Sequence, residues 1–166
     1  MARTIPDNER HRIVLTCIIH DGHGRYLATK RAPTKKVFPN KWTVPGGGLE
    51  PNDYLKTKKT TKDAWYFVVE KALRREIKEE VNLEIEKPIF LVDLVFIRSD
   101  KVPVLTLSYM AKLKSGKVRL EEGDATEFRW ATVQECKKLD FIDGIFEEID
   151  YADKILKSDQ NPKLML

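Results

Sequence analysis

Arg75-Glu76-Ile77-Lys78-Glu79-Glu80-Val81-Asn82-Leu83 is the stretch on which the reading of this chain turns. On a helix, positions 76, 79 and 80 are spaced i, i+3, i+4, so three carboxylates share one face. Leu73, Ile77 and Val81 form an apolar stripe beside that face, and a stripe at this spacing anchors a helix to a core. Asn82 follows as a candidate left-handed C-cap. Like charges so close repel one another. Such a face is either fully solvated or neutralised by a cation, and hard Mg²⁺ favours oxygen ligands of this kind.

Working outward, Trp65, Val69 and Leu73 continue the four-residue spacing backwards, with Val68 and Ala72 alongside. The unbroken phase predicts that the helix begins near Lys62 and that Trp65 is buried, although Trp-Tyr-Phe-Val-Val also suits a strand. Upstream lies Gly46-Gly47-Gly48, where the backbone can approach a ligand closely. Arg12 to Ile19 and Arg25 to Lys30 read as a hairpin across Asp21-Gly22-His23-Gly24. His20 and His23 are turn residues in this reading. Ile89 to Ile97 and Val102 to Leu113 form a second predicted hairpin across Arg98 to Lys101. A short strand is expected around Phe128 to Trp130, after the acidic loop Glu121-Glu122-Gly123-Asp124. Thr132 and Glu135 have capping-box spacing, and Ile145 to Leu156 form a last amphipathic helix capped by Asp143.

The bulk properties are those of a single domain, 1–166, with a frayed tail at 158–166. The chain has 166 residues, 42% hydrophobic and 34% charged, with a net charge of +4. Such a composition excludes a disordered chain, and no apolar run is long enough to span a bilayer. Two cysteines, Cys17 and Cys136, without ligand spacing argue against a zinc site and suit a cytoplasmic location. The lysines cluster at Lys35, Lys36 and Lys41, and again at Lys56, Lys58, Lys59 and Lys62. Either cluster taken alone reads as a solvated loop.

Taken together, these segments resemble the Nudix (MutT-like) hydrolase family. The family signature is Gly-x5-Glu-x7-Arg-Glu-U-x-Glu-Glu-x-Gly-U, with U an aliphatic residue. Gly47 opens it here, and Arg75 to Leu83 close it. Three positions depart from the pattern. Asp53 replaces the first Glu, and Asn82 replaces the closing Gly. Residues 54–74, twenty-one in all, stand where the pattern has seven, an insertion of fourteen that begins within 54–67.

The resemblance implies an α/β fold, an α/β/α sandwich with a mixed β-sheet between helices. It also implies Mg²⁺, with Mn²⁺ as a substitute, held by Glu76, Glu79, Glu80 and the Gly46 carbonyl. Arg75 braces the carboxylates and reaches towards Asp53. The general base is Glu79, or one of Glu121, Glu122 and Glu127 on a later loop. Arg31, Lys41, Gly47 and Gly48 are candidate substrate contacts. The implied reaction is hydrolysis of a phosphoanhydride in a small nucleotide-like substrate, with a nucleoside triphosphate as first choice. Nucleotide sugars, ADP-ribose, RNA caps and a non-catalytic ligand-binding role are the alternatives. No membrane partner is expected, nucleic acid is disfavoured, and a homodimer is compatible with the sequence.

Overall fold

The computed structural model describes residues 10–158, so the expected tail from 159 onward lies outside the described residues. In chain order the elements are β1 (Arg12–His20), β2 (Tyr26–Arg31), β3 (Trp42–Thr43), β4 (Gly46–Gly48), α1 (Asn52–Leu55) and α2 (Val68–Val81). There follow β5 (Leu83–Ile85), β6 (Ile89–Ile97), β7 (Pro103–Gly116), β8 (Ala125–Ala131), α3 (Val133–Cys136) and α4 (Ile145–Lys157). The eight strands make one mixed sheet, the α/β/α architecture that the sequence implies. Its centre is a nine-residue parallel ladder, Arg12↔Val104 through His20↔Lys112.

Strand alternation sends opposite sides of β1 to opposite cores. Leu15, Cys17 and Ile19 meet Leu73, Ile77 and Val81 of α2, while Ile18 meets Met110 and the Ile145, Ile149 and Ala152 stripe of α4. Each fully buried aliphatic side chain is worth ~1.5–3 kcal/mol relative to exposure, so these stripes hold the two helical layers to the sheet. The helix α2 ends where Asn82 turns left-handed at φ 58°, its N–H bonded to the Lys78 carbonyl at 3.1 Å.

Three expectations need correction. The helix α2 does not begin near Lys62. Phe67 adopts φ 60°, ψ 24°, a left-handed conformation that no helix continues through, and residues 56–67 form a loop. Trp65 is only half-buried. Its ring packs on Tyr54 at 5.5 Å, Lys59 Nζ lies 5.1 Å from its centroid, and its Nε1 donates to the Thr57 carbonyl at 3.1 Å. The cap of α4 is Gly144 at φ 86° with no side-chain bond, not Asp143.

The first hairpin is also looser than alternation suggests. Strands β1 and β2 pair only at His20↔Tyr26, because β4 inserts along β1 (Val14↔Gly48, Leu15↔Gly47, Thr16↔Gly46) and splays β2 away. At the turn, Asp21 Oδ1 accepts from His23 N–H at 2.7 Å, the turn role expected of this segment. The second hairpin (β6–β7), the β8 strand and the Thr132–Glu135 capping box form as the sequence predicts.

Candidate active site

Strand β4 lies against the carboxylate face of α2, and its glycines are shaped by that contact. A Cβ on Gly47 would fall 2.3 Å from the Glu76 carboxyl carbon, so the carboxylate occupies the space a side chain would need. A Cβ on Gly46, at φ 155°, would lie 2.1 Å from the Leu15 carbonyl oxygen. Gly46 donates its N–H to Glu80 Oε2 at 2.9 Å. The two halves of the motif, far apart in sequence, are therefore one structural unit.

Arg75 is the hub of this unit. Its Nε and Nη2 fork onto both oxygens of Asp53, at 2.5 and 3.0 Å, and Nη1 donates to Glu79 Oε2 at 2.8 Å. Nη2 also reaches Glu76 Oε1 at 2.9 Å and the Gly48 carbonyl at 3.3 Å. A planar guanidinium is the side chain that can serve several carboxylates at once. Asp53 also accepts the Glu50 N–H at 2.8 Å and is 4% exposed. Despite the insertion, Asp53 occupies a place in the site, and the Arg75 hydrogen bonds hold its carboxyl below the usual range.

The glutamates divide by burial. Burial pushes the Glu80 carboxyl up to about 8, with Asp124 and Glu76 adding repulsion and the Gly46 N–H and Lys35 opposing it. Burial raises Glu76 as well, against the pull of Arg75. Glu79 is half-exposed and bound to Arg75. Among the described residues no three acidic, His or Cys side chains converge on one point as a cage. What exists is a partly buried pair of carboxyl groups, Glu76 and Glu80, next to the glycines of β4. That donor set fits a hard cation such as Mg²⁺, which takes one or two carboxylates and fills its remaining positions with water and phosphate oxygens. Gly46, expected to offer its carbonyl to a metal, bonds Glu80 through its N–H.

Beside this pair opens a cavity of ≈ 630 Å³. Its floor is the α4-facing side of the sheet, including Thr16, Thr106 and Arg31, and Phe38, Phe96 and Ile145 supply apolar walls. Arg31 therefore stands where a substrate contact was expected, its Nε held by the Val37 carbonyl at 3.0 Å. Lys41, Gly47, Gly48 and Glu127 do not line the cavity. Lys41 pairs with Asp140 at 2.5 Å. Gly47 makes room for Glu76, and Gly48 faces Arg12. Glu127 is opposite Lys30 in the β2–β8 ladder and bonded to it at 2.8 Å, while its neighbours Thr29 and Arg31 face the cavity. Glu127 is therefore corrected from candidate base to surface ion pair. Glu121 and Glu122 are exposed turn residues.

Sequence reasoning passed over Asp124, Lys35, Arg12, Glu148 and Arg98. Asp124 lines the cavity near Glu80 and is bonded to Lys35. It was visible only as the last member of an acidic loop. Buried Glu148 accepts from Ser108 Oγ at 2.5 Å on the cavity floor. In the sequence it is indistinguishable from the exposed glutamate beside it.

A family model described as the NUDIX domain matches residues 10–148. The nucleoside triphosphatase NudI of Enterobacter sp. (strain 638) is 36% identical over 72 residues, covering 43% of this chain and 41% of that protein. NudI of Escherichia coli (strain K12) is 35% identical over 68 residues, 41% of this chain and 38% of that protein. The matched segment thus spans about two-fifths of the length of these curated relatives. Among solved structures, a MutT NUDIX hydrolase from Burkholderia pseudomallei superposes with a TM-score of 0.69 at 21% identity, covering 86% of this chain and 98% of that one. The NUDIX domain of Shewanella oneidensis NrtR, crystallised with ADP ribose, gives 0.70 at 14% identity, covering 93% and 95%.

Proposed function

This chain belongs to the NUDIX family, and we propose that it is a divalent-metal-dependent hydrolase of nucleoside triphosphates, releasing a nucleoside monophosphate and pyrophosphate. One observation carries this reading: two partly buried carboxyl groups, Glu76 and Glu80, are seated on Gly47 and Gly46 while Arg75 ties Asp53, Glu76 and Glu79 into one frame. The resemblance to nucleoside triphosphatases supports the substrate class.

Glu76 and Glu80 would hold Mg²⁺ or Mn²⁺, with Glu79 joining from the frame. When bound, the cation supplies charge neutralisation at the phosphate oxygens and Lewis acidity towards the attacked phosphorus. Arg75 fixes the carboxylates, since misplacement of such groups by an ångström costs orders of magnitude in rate. Glu79, the most exposed of the three, would accept a proton from the attacking water. The P–O bond to the leaving pyrophosphate then breaks as the new P–O bond forms. Arg31, which lines the cavity, would offset phosphate charge there. Both cysteines are buried and free, which is consistent with work in a reducing cytoplasm.

The test is a substrate panel with and without chelator. Nucleoside triphosphates should be turned over only with added Mg²⁺ or Mn²⁺, and metal analysis should find no zinc. Faster turnover of ADP-ribose or nucleotide sugars than of any triphosphate would replace the substrate class. Full activity in excess chelator would overturn the metal assignment.

A further inference from the structure

Among the described residues two buried side-chain polar atoms have no hydrogen-bond partner, Thr16 Oγ1 and Arg98 Nε, and both residues line the one cavity of ≈ 630 Å³. A buried donor left unpaired costs free energy, and at the wall of a cavity its partner is a water, an ion or a ligand atom. The two atoms mark different ends. Thr16 pairs with Gly46 in one ladder and with Ser108 in the other, next to the Glu80 contact. The strand register then runs four residues, roughly 13 Å, to Arg12↔Val104, where Phe96 lies opposite Val104. Arg98 follows two residues beyond Phe96. Its Nη2 is bonded to Asp100 at 2.5 Å, which leaves Nε as the unmatched donor.

A third observation falls at the same outer end. Phe38 lines the cavity in a left-handed conformation, φ 52°, with its ring 6.1 Å from that of Phe96 at 51°. A non-glycine residue held there is strained, and strain of this kind concentrates at ligand clamps. It presents an aromatic surface where a planar ring can stack.

We infer that the outer end is the base-reading subsite, with the base against Phe38 and Phe96 and Arg98 Nε donating to a carbonyl oxygen on its edge. This rests on the triphosphate reading above. Thr16 Oγ1 donates to a phosphate oxygen at the inner end. A guanidinium has donors and no acceptor, so it favours bases that carry an exocyclic carbonyl, guanine and the pyrimidines, over adenine with its amino group. Glu148 is less suited to this role, because its carboxylate is already taken up by the Ser108 hydroxyl.

The experiment compares wild type, Arg98→Gln, Arg98→Lys and Thr16→Val in two arms. In the first, GTP, UTP, CTP and ATP are hydrolysed with Mg²⁺. ATP should be the poorest wild-type substrate. Arg98→Gln should raise KM for the other three by at least about tenfold, the scale of one lost charge-assisted hydrogen bond, with kcat largely kept. Its preference over ATP should flatten, and Arg98→Lys should restore only part of it. Thr16→Val should weaken all four alike. In the second arm, calorimetry follows GMP and AMP binding to the metal-free protein, where selectivity for GMP should vanish in Arg98→Gln. Melting curves confirm that each variant is folded. Unchanged base preference and unchanged GMP binding in folded Arg98→Gln overturn this inference while leaving the hydrolase intact. If wild type hydrolyses no triphosphate, the proposed activity fails, and the calorimetry still decides whether Arg98 reads a base.

Discussion

Arg75 makes contacts with Asp53, Glu76, Glu79 and the Gly48 carbonyl, so its removal should be felt twice. Arg75→Ala frees the carboxylates from their frame, and kcat should fall by about a hundredfold. It also strands the nearly buried Asp53, which should cost ~2 kcal/mol, below the figure for a fully buried pair because Arg75 itself touches solvent. Stopped-assay kinetics and urea melts measure the two effects separately. Glu76→Gln and Glu80→Gln should each abolish turnover, yet the metal-free proteins should melt no lower than wild type, since burial already disfavours the charged form of both carboxyls and Gln keeps their size. Near wild-type turnover in either would sink the metal assignment. Glu148 gives a pH signature. Burial raises its carboxyl above the ordinary value, against the Ser108 hydroxyl, so the folded state keeps a proton that the unfolded chain releases. Stability should therefore fall as pH rises from the ordinary carboxylate range through the raised value, and Glu148→Gln should flatten that slope. The Arg75 and glutamate cluster was legible because one helix face carries it. Thr16, Arg98 and Asp124 were not, because a strand residue and two loop residues from distant parts of the chain meet at the cavity only in the folded sheet, and no local spacing records that.

At the scale of elements, the four-residue spacing located α2 correctly from Val68 onward and failed before it. Periodicity measures apolar phase and is blind to a single left-handed residue, so Phe67 broke a pattern that Trp65 appeared to continue. The insertion instead builds its own small cluster. Trp65 lies between Tyr54 and Lys59, and Thr60 Oγ1 accepts the Tyr66 N–H at 3.1 Å. Trp65→Ala should therefore cost only ~1 kcal/mol, where a core tryptophan would cost ~3–5. It should speed protease cleavage within 56–67 before it lowers the melting temperature. A loss on the core scale would show that the cluster supports the domain. The cluster begins at Tyr54, the residue after Asp53, which bonds Arg75. Neutralising Lys56, Lys58 and Lys59 together should raise KM more than it lowers kcat if the lysines attract the polyanion. Identical kinetics would leave them a solvated loop. The hairpin β6–β7 and the capping box were legible because their determinants are local. The splaying of β2 from β1 was not, since it depends on β4 arriving from a distant part of the chain.

In the whole molecule, the two helical layers are joined through β1, whose alternating residues enter both cores, and through its parallel ladder with β7. The family resemblance, and not periodicity, implied a mixed sheet, and neither said that β1 and β7 would be the parallel pair. That ladder also bears on how the chain reaches its fold. Arg12 finds its partner only at Val104, so on a ribosome every element from β2 to β6 emerges before the central pairing can close. Folding should accordingly be slow for the chain's size, with a transition state dominated by a contact of long sequence separation. The same geometry explains why fourteen added residues are tolerated within the signature. They enlarge a loop of nearly eighty residues to about ninety, at a closure cost of only ~0.15 kcal/mol. Trimming residues 56–65 to a short turn should leave the refolding rate within a factor of two, whatever it does to the substrate.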